Sequence, residues 1–298
     1  MLTITADDIG FSLSRNRAVI DAAVFGTVTA ASLMVNMPEA ENACRLVQQE
    51  IPQLGIGLHF TLTSGRPVSP PPQIPLLVDE DGMFRSGFLS LALSLSKNAG
   101  QCPLFDQITI EFEAQRQRLD ELAKRYSLRI NHLDSHQHIH AIPPIGSLLE
   151  KTAHSRNLSL RLPREPYHSW RRMIPQGTFL PVGHIKKMIL DFCTRNARTQ
   201  ELTFYFGVLN SGKMNSKAWQ RILEIVRRHP DVPCEVNVHP GKASPQEAAG
   251  EPLCCSKDDR KFHCSIWRRR ELDVLLDPKF KSSLAALLSG IINADNES

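Results

Sequence analysis

The amino-acid sequence predicts a parallel α/β fold that closes, or nearly closes, into one barrel. Short apolar, β-branched runs alternate with segments of helical periodicity along most of the 298 residues. That alternation is the pattern of a parallel sheet covered by helices. Seven strand candidates follow one another with no low-complexity linker and no repeat of fixed length. No glycine-rich dinucleotide fingerprint follows the first of them, which argues against two doubly wound halves.

Leu2–Thr5 is the first strand, and it opens into the polar "ADDIG". Residues 14–25 carry apolar positions at helical spacing and stop at Gly26, a residue suited to ending a helix. "TAASLMVN" (29–36) is the second strand, a helix covers 38–49, and "LGIGLHFTL" (54–62) is the third strand. Residues 63–83 are rich in proline and turn formers. They are too long for a simple connector and read as a loop over a site. A charged amphipathic helix spans about 105–126, and "RINHLDSHQHIH" then begins as the fourth strand. Helix 145–155, strand 158–163, helix 183–198, strand 202–209, helix 216–228 and strand 234–241 complete the alternation, and the tail from 267 to 292 reads as helical. The whole chain, 1–298, reads as a single domain, with a motif-bearing barrel over 1–245 and a helical tail over 246–298.

Composition excludes several classes of function. The chain is 42% hydrophobic and 22% charged with a net charge of +4, as expected of a globular protein. Its basic residues are scattered and aromatics are 6%, which does not point to nucleic acid. The runs Trp170-Arg171-Arg172 and Trp267-Arg268-Arg269-Arg270 read as solvated faces. Seven cysteines, an odd number without framework spacing, fit reduced thiols and a cytoplasmic location. The spacing of Cys254, Cys255, His263 and Cys264 fits no familiar zinc finger. No secretory leader and no membrane-spanning run are legible in the sequence.

Titratable residues collect where the strands end. Asp7 and Asp8 close the first strand, His59 lies in the third, the cluster His136, His138 and His140 ends the fourth, and His239 lies in the last. The C-terminal edge of a parallel sheet is where α/β proteins build sites. Alternation along an extended chain puts Asp134, His136, His138 and His140 on one face. A row of four polar groups suits a water-filled barrel mouth and not an apolar core. One aspartate of the pair, His59 and one histidine of the cluster make a one-carboxylate, two-imidazole metal set. Such a set leaves positions open for water and substrate. The other aspartate is then a candidate base, and His239 a candidate acid for the leaving group. Arg161 and Arg164 flank a strand end, where they can bind a substrate hydroxyl or orient Asp7, a plain surface role being the alternative. Phe60, Phe204, Tyr205 and Phe206 read as core, and Trp170 as a surface for stacking a sugar ring.

At these residues the sequence resembles the YdjC-type carbohydrate deacetylases. The family includes chitooligosaccharide deacetylases and deacetylases associated with hopanoid biosynthesis. The matching blocks are "TADDIG", "GTVTAASLMVN", "GIGLHFTLTSGRPV", "HLDSHQHIH", "LRLPRE" and "NVHPG", in the family's order from residue 3 to about 241. "RRRELDVL" resembles the family's closing helix. The resemblance implies a TIM-barrel-like fold, hydrolysis of an N-acetyl sugar or glycolipid, a divalent metal usually described as magnesium, and a dimer. It assigns Asp8, His59 and His136 as metal ligands, Asp7 as base and His239 as a further catalytic residue, with His138 and His140 lining the pocket. Ligand chemistry by itself favours zinc or another transition ion, because magnesium prefers oxygen. A metal-dependent phosphoesterase and a non-catalytic sugar- or metal-binding barrel are the rival readings.

Overall fold

The structure is a computed structural model and describes residues 2–96, 102–166, 182–194, 203–242 and 261–296. Seven parallel strands form one sheet: β1 (Leu2–Ile9), β2 (Ala30–Leu33), β3 (Gly55–Phe60), β4 (Arg129–Ser135), β5 (Ser159–Leu160), β6 (Phe204–Phe206) and β7 (Cys234–Val238). Their spatial order is β5-β4-β3-β2-β1-β7-β6. This is the order of a barrel whose seam lies between β5 and β6, and no described residues pair those two strands. The curvature is nonetheless real. Arg161, directly after β5, bonds Asp7 on β1 and Glu235 on β7, strands that lie across the sheet from it. The expected TIM-barrel-like architecture with seven strands is what the chain forms.

The helices are α1 (Leu13–Phe25), α2 (Ala40–Glu50), α3 (Phe88–Ser96), α4 (Pro103–Tyr126), α5 (Pro143–Ser155), α6 (Val182–Thr194), α7 (Ser216–Arg228), α8 (Ile266–Leu275) and α9 (Pro278–Asn296). Local chemistry sets their ends. Ser12 caps α1 by accepting from the Arg15 N–H, and Gly26 closes it in the left-handed region at φ 95°. Asn215 caps α7 through the Ala218 N–H. The predicted helical tail is two helices, broken where Pro278 cannot continue α8.

The two faces of the sheet differ in chemistry. Leu2, Ile4 and Ala6 of β1, Ile56 and Leu58 of β3, Leu133 of β4 and Val236 and Val238 of β7 face the helices and join one apolar core. Each fully buried Leu, Ile or Val there contributes about 1.5–3 kcal/mol. The inner face carries Thr5, Asp7, Ser32, His59, His132, Asp134 and Asn237, all buried. Two glycines make room for it. A Cβ on Gly55 would come within 2.1 Å of Asn131, and one on Gly57 within 2.2 Å of the His132 ring.

The proline-rich loop is tied down. Glu111 of α4 accepts the Val68 and Ser69 N–H groups, Gln107 accepts that of Leu76, and Asn36 donates to the Ser64 and Arg66 carbonyls. Ile74, Leu77, Val78 and Phe84 of this segment are buried in the main core. The basic run in α8 corrects its sequence reading. Arg269 is exposed and pairs with Asp273, but Arg268 is 1% exposed, turned inward onto Glu271 and the Phe262 ring. On a helix, consecutive residues lie about 100° apart, so a run of charges cannot share one face. Trp170 with its arginines and Cys254 with Cys255 lie outside the described residues.

Candidate active site

The two aspartates reach the site together because β1 bulges. Ala6 pairs with Ala31 and Ile9 with Leu33, so β1 spends one residue more than β2 over the same stretch. Asp8 takes up the difference at φ 65°, a conformation that aspartate tolerates better than most residues. The Asn16 side chain then holds the Gly10 N–H at 2.7 Å. In a regular strand Asp7 and Asp8 would point to opposite faces. Here both meet the same imidazole: His59 Nε2 lies 3.3 Å from Asp8 Oδ1 and 3.9 Å from Asp7 Oδ2.

The histidine cluster departs from the predicted strand alternation. β4 ends at Ser135, and residues 136–141 wind into a tight 3-10 segment with Gln137 and His138 at φ 55° and 59°. Only His136 reaches Asp8, its Nδ1 lying 3.0 Å from Oδ1. His140 turns back onto the Ser135 hydroxyl, and burial lowers its imidazole to about 4. His138 is buried with Nδ1 unpartnered, its ring edge-on to Tyr205. The winding separates three histidines that an extended strand would have aligned.

The expected ligands Asp8, His59 and His136 thus meet at one carboxylate oxygen, Asp8 Oδ1, which both ring nitrogens approach. Ligands about 2.1 Å from a tetrahedral ion lie about 3.4 Å apart, close to the 3.0 and 3.3 Å from Asp8 Oδ1 to the two ring nitrogens. Asp8 Oδ2 is buried without a hydrogen-bond partner, as an atom reserved for an ion would be. Asp134, absent from the predicted set, supplies the orienting contact. Its Oδ1 lies 2.6 Å from His59 Nδ1, which fixes that ring's tautomer and turns Nε2 toward Asp8, the carboxylate–histidine arrangement of metal sites. Ser32 and Arg161 hold the other Asp134 oxygen at 2.6 and 2.8 Å. Burial by itself would lower the His59 imidazole, but Asp134 and Asp7 outweigh it and push it up to about 10.

Among the described residues, potential metal-ligating atoms fall into two adjoining groups, Asp8/His136/His263 and Asp7/His59/Asp134. His263, from the segment before α8, stacks on Phe11 at 3.7 Å and places Nδ1 3.9 Å from Asp8 Oδ2. Arg15 lies 2.6 Å from that same nitrogen and also holds the His239 and Pro240 carbonyls. A guanidinium beside Nδ1 occupies its lone pair and repels a cation, so His263 fits the ion less well than His59 does. No described metal-ligating group includes a cysteine.

Asp7 sits on a different set of partners. Arg161 grips both of its oxygens at 2.7 and 2.9 Å, and Asn237 donates to Oδ2. Arg161 is buried and also contacts Asp134 and Glu235. Its burial rules out the surface reading, and its donors go to carboxylates, those of Asp7 among them. Burial raises the Asp7 carboxyl above its ordinary value despite Arg161, while in Asp134 Arg161 and His59 overcome burial and lower it. His239 is buried with Nδ1 unpartnered, its backbone N–H held by Glu271 at 2.7 Å; burial keeps its ring neutral. Lys186 of α6 also faces this region, its amine lowered by burial while Asp7 and Asp8 pull it back up.

Sequence reasoning missed Asp134, His263 and Lys186 as members of the site. For Asp134 a signal existed: it shares the predicted inward face with the cluster. The sequence marks His263 only as part of the 254–264 Cys/His cluster and not with these strand ends, and nothing local marks Lys186.

Comparison with known proteins bears on this geometry. The profile of the YdjC-like proteins matches residues 1–286. The chain is 35% identical to a chitooligosaccharide deacetylase of Proteus mirabilis over 164 residues, 55% of this chain and 59% of that protein. Similarity to the enzyme of that name from Enterobacter sp. (strain 638) is 35% over 165 residues, 55% of this chain and 60% of that protein. The match therefore spans somewhat over half the length of these curated relatives. A crystal structure from Enterococcus faecalis V583, named for cellobiose-phosphate cleavage, superposes with a TM-score of 0.64 at 21% identity, covering 96% of this chain and 94% of its own. At that identity the likeness speaks to the fold.

Proposed function

The chain belongs to the YdjC-like family, and from that premise and the site's geometry we propose that it is a metal-dependent hydrolase that removes the acetyl group from an N-acetylated sugar. The observation that carries this reading is the convergence of Asp8, His59 and His136, with Asp134 locking the His59 ring. The curated relatives named as chitooligosaccharide deacetylases support the substrate class.

Asp8, His59 and His136 would hold the ion, which when bound polarises an amide carbonyl and makes water acidic enough to be activated near neutral pH. The donor set, two nitrogens and one oxygen, favours zinc or another transition ion over magnesium. Asp7, aimed by Arg161 and Asn237, takes the proton of the attacking water. His239 is neutral, so it has no surplus proton of its own. In this reading it relays to the departing nitrogen the proton that Asp7 has gained. The products are acetate and a free sugar amine. His138 and His140 line the pocket beside these groups, and Trp170 remains a proposed sugar-stacking residue.

The test is acetate release from N-acetylglucosamine disaccharides and N-acetylated glycolipids, with chelator and with single divalent ions added back. Chelation should stop release and one ion restore it. Asp8→Ala and His59→Ala should lose both metal and activity with unchanged circular dichroism. A metal-loaded, folded protein that releases no acetate from any of these sugars, yet cleaves a phosphoester, would sink the proposal.

A further inference from the structure

β6 reads Phe204-Tyr205-Phe206, and its middle residue is the one turned into the barrel. Tyr205 pairs in register with Glu235 of β7, whose carboxylate takes Arg161. The Arg161 guanidinium carbon lies 5.6 Å from the Tyr205 ring centre, and the His138 ring stands edge-on at 5.8 Å. Ala141, Val208 and Leu190 of α6 pack around the apolar part of the ring. The side chain is 1% exposed, and its hydroxyl has no hydrogen-bond partner among the described residues. Nδ1 of that His138 ring likewise has none among the described residues.

A buried hydroxyl left without a partner costs about 1–3 kcal/mol. Phenylalanine would keep every ring contact and avoid that cost, and both flanking positions of β6 carry it. The ring that carries the one hydroxyl on the strand touches both Arg161, the clamp on Asp7, and His138 of the histidine segment. The geometry points to Tyr205 as a substrate-binding residue that donates its O–H to an oxygen of the bound N-acetyl sugar. This rests on the proposed deacetylase reading and adds to it a donor on the β6 side of the site, opposite the metal ligands from β1 and β3. Burial keeps the phenol protonated, so it donates throughout the working pH range.

The experiment compares Tyr205→Phe with wild type in the full chain. Thermal unfolding and calorimetric metal titration should show a melting temperature equal to or above wild type and an unchanged metal Kd. For acetate release, kcat/KM should fall about 10–100-fold, the scale of one lost donor in a closed site. Binding of an N-acetylglucosamine disaccharide to the metal-free proteins, read by calorimetry, should weaken at least about fivefold, a loss near 1 kcal/mol. Because that titration needs no turnover, it separates this inference from the deacetylase reading. An inactive wild type that binds the disaccharide through Tyr205 defeats the reaction and keeps the donor. An active wild type whose Tyr205→Phe form matches it in kcat/KM and affinity keeps the reaction and defeats the donor. A marked drop in melting temperature would also overturn the inference, since it would show the hydroxyl bonded within the fold.

Discussion

Replacing Asp134 by asparagine tests how the site is held without touching an expected ligand. Asp134 is fully buried, with Oδ1 2.6 Å from His59 Nδ1 and Oδ2 2.6 Å from Ser32 Oγ and 2.8 Å from Arg161 Nη1. Asparagine is almost isosteric but has one acceptor and one donor end. With its oxygen toward His59, its NH2 confronts the Arg161 donors. With its NH2 toward His59, Nδ1 must become an acceptor, and the ring proton moves to the nitrogen that faces Asp8. The first arrangement loses charge on the orienting contact, and the second disables the ligand. Loss of such an orienting partner costs about 10–100-fold in metal affinity, or about 1.4–2.7 kcal/mol. Breaking a buried ion pair outright costs about 3–5 kcal/mol. Arg161 keeps Asp7 and Glu235, so the folding penalty of Asp134→Asn should stay below that, about 1–3 kcal/mol. Calorimetric titration of the metal-free variant with zinc, beside urea unfolding of both metal-free proteins, measures the two quantities. A folded Asp134→Asn protein whose metal Kd lies within twofold of wild type would refute the claim that this carboxylate sets the His59 tautomer.

Two further perturbations probe separate parts of the molecule. Asp7→Asn should keep its metal and lose kcat by about 10²–10⁴, the range for a general base; near-normal turnover would remove Asp7 from the reaction. Glu165 accepts the Val208 and Leu209 N–H groups at 3.0 and 2.9 Å, and burial raises its carboxyl from 4.5 to about 7. A carboxyl raised in the folded state binds its proton more tightly there than when unfolded. Its contribution to stability is therefore complete below about pH 4.5 and lost as pH rises through about 7. Relative to wild type, Glu165→Gln should gain about 2–3 kcal/mol between pH 5 and pH 8 in urea unfolding; an identical stability gap at both pH values would count against it.

Local sequence determined much of this protein. Alternating strand and helix periods announced the parallel sheet, and Gly26 ends α1 where the sequence placed the stop. The ligand types stand at strand ends in the sequence itself, so one aspartate of the Asp7–Asp8 pair, His59 and one histidine of the cluster could be read as a set once the strands were placed in parallel, and the choice of Asp8 and His136 came from the family resemblance. Among the described segments, α3 was not legible: Leu89, Leu91, Leu93 and Leu95 alternate with polar or small residues, a period of two, yet the segment is a helix that buries Leu91 and Leu95 and exposes Leu89 and Leu93. The tail is helical as read, in two helices divided before Pro278.

Only the tertiary structure decided which of these groups act together. The bulge that turns Asp7 and Asp8 inward is a matter of register against β2, where Ala6 meets Ala31 and Ile9 meets Leu33, and no local period encodes an extra residue. The left-handed turn at Gln137 and His138 splits a histidine row that the strand period had aligned. Arg161 could be matched to Asp7, Asp134 and Glu235 only when curvature carried β5 across to β1 and β7, since those partners lie 154, 27 and 74 positions away in sequence. Periodicity is a property of neighbouring residues and survives in the bare sequence. Pairings across a barrel depend on how the sheet closes, a balance of packing and strand register distributed over the whole chain.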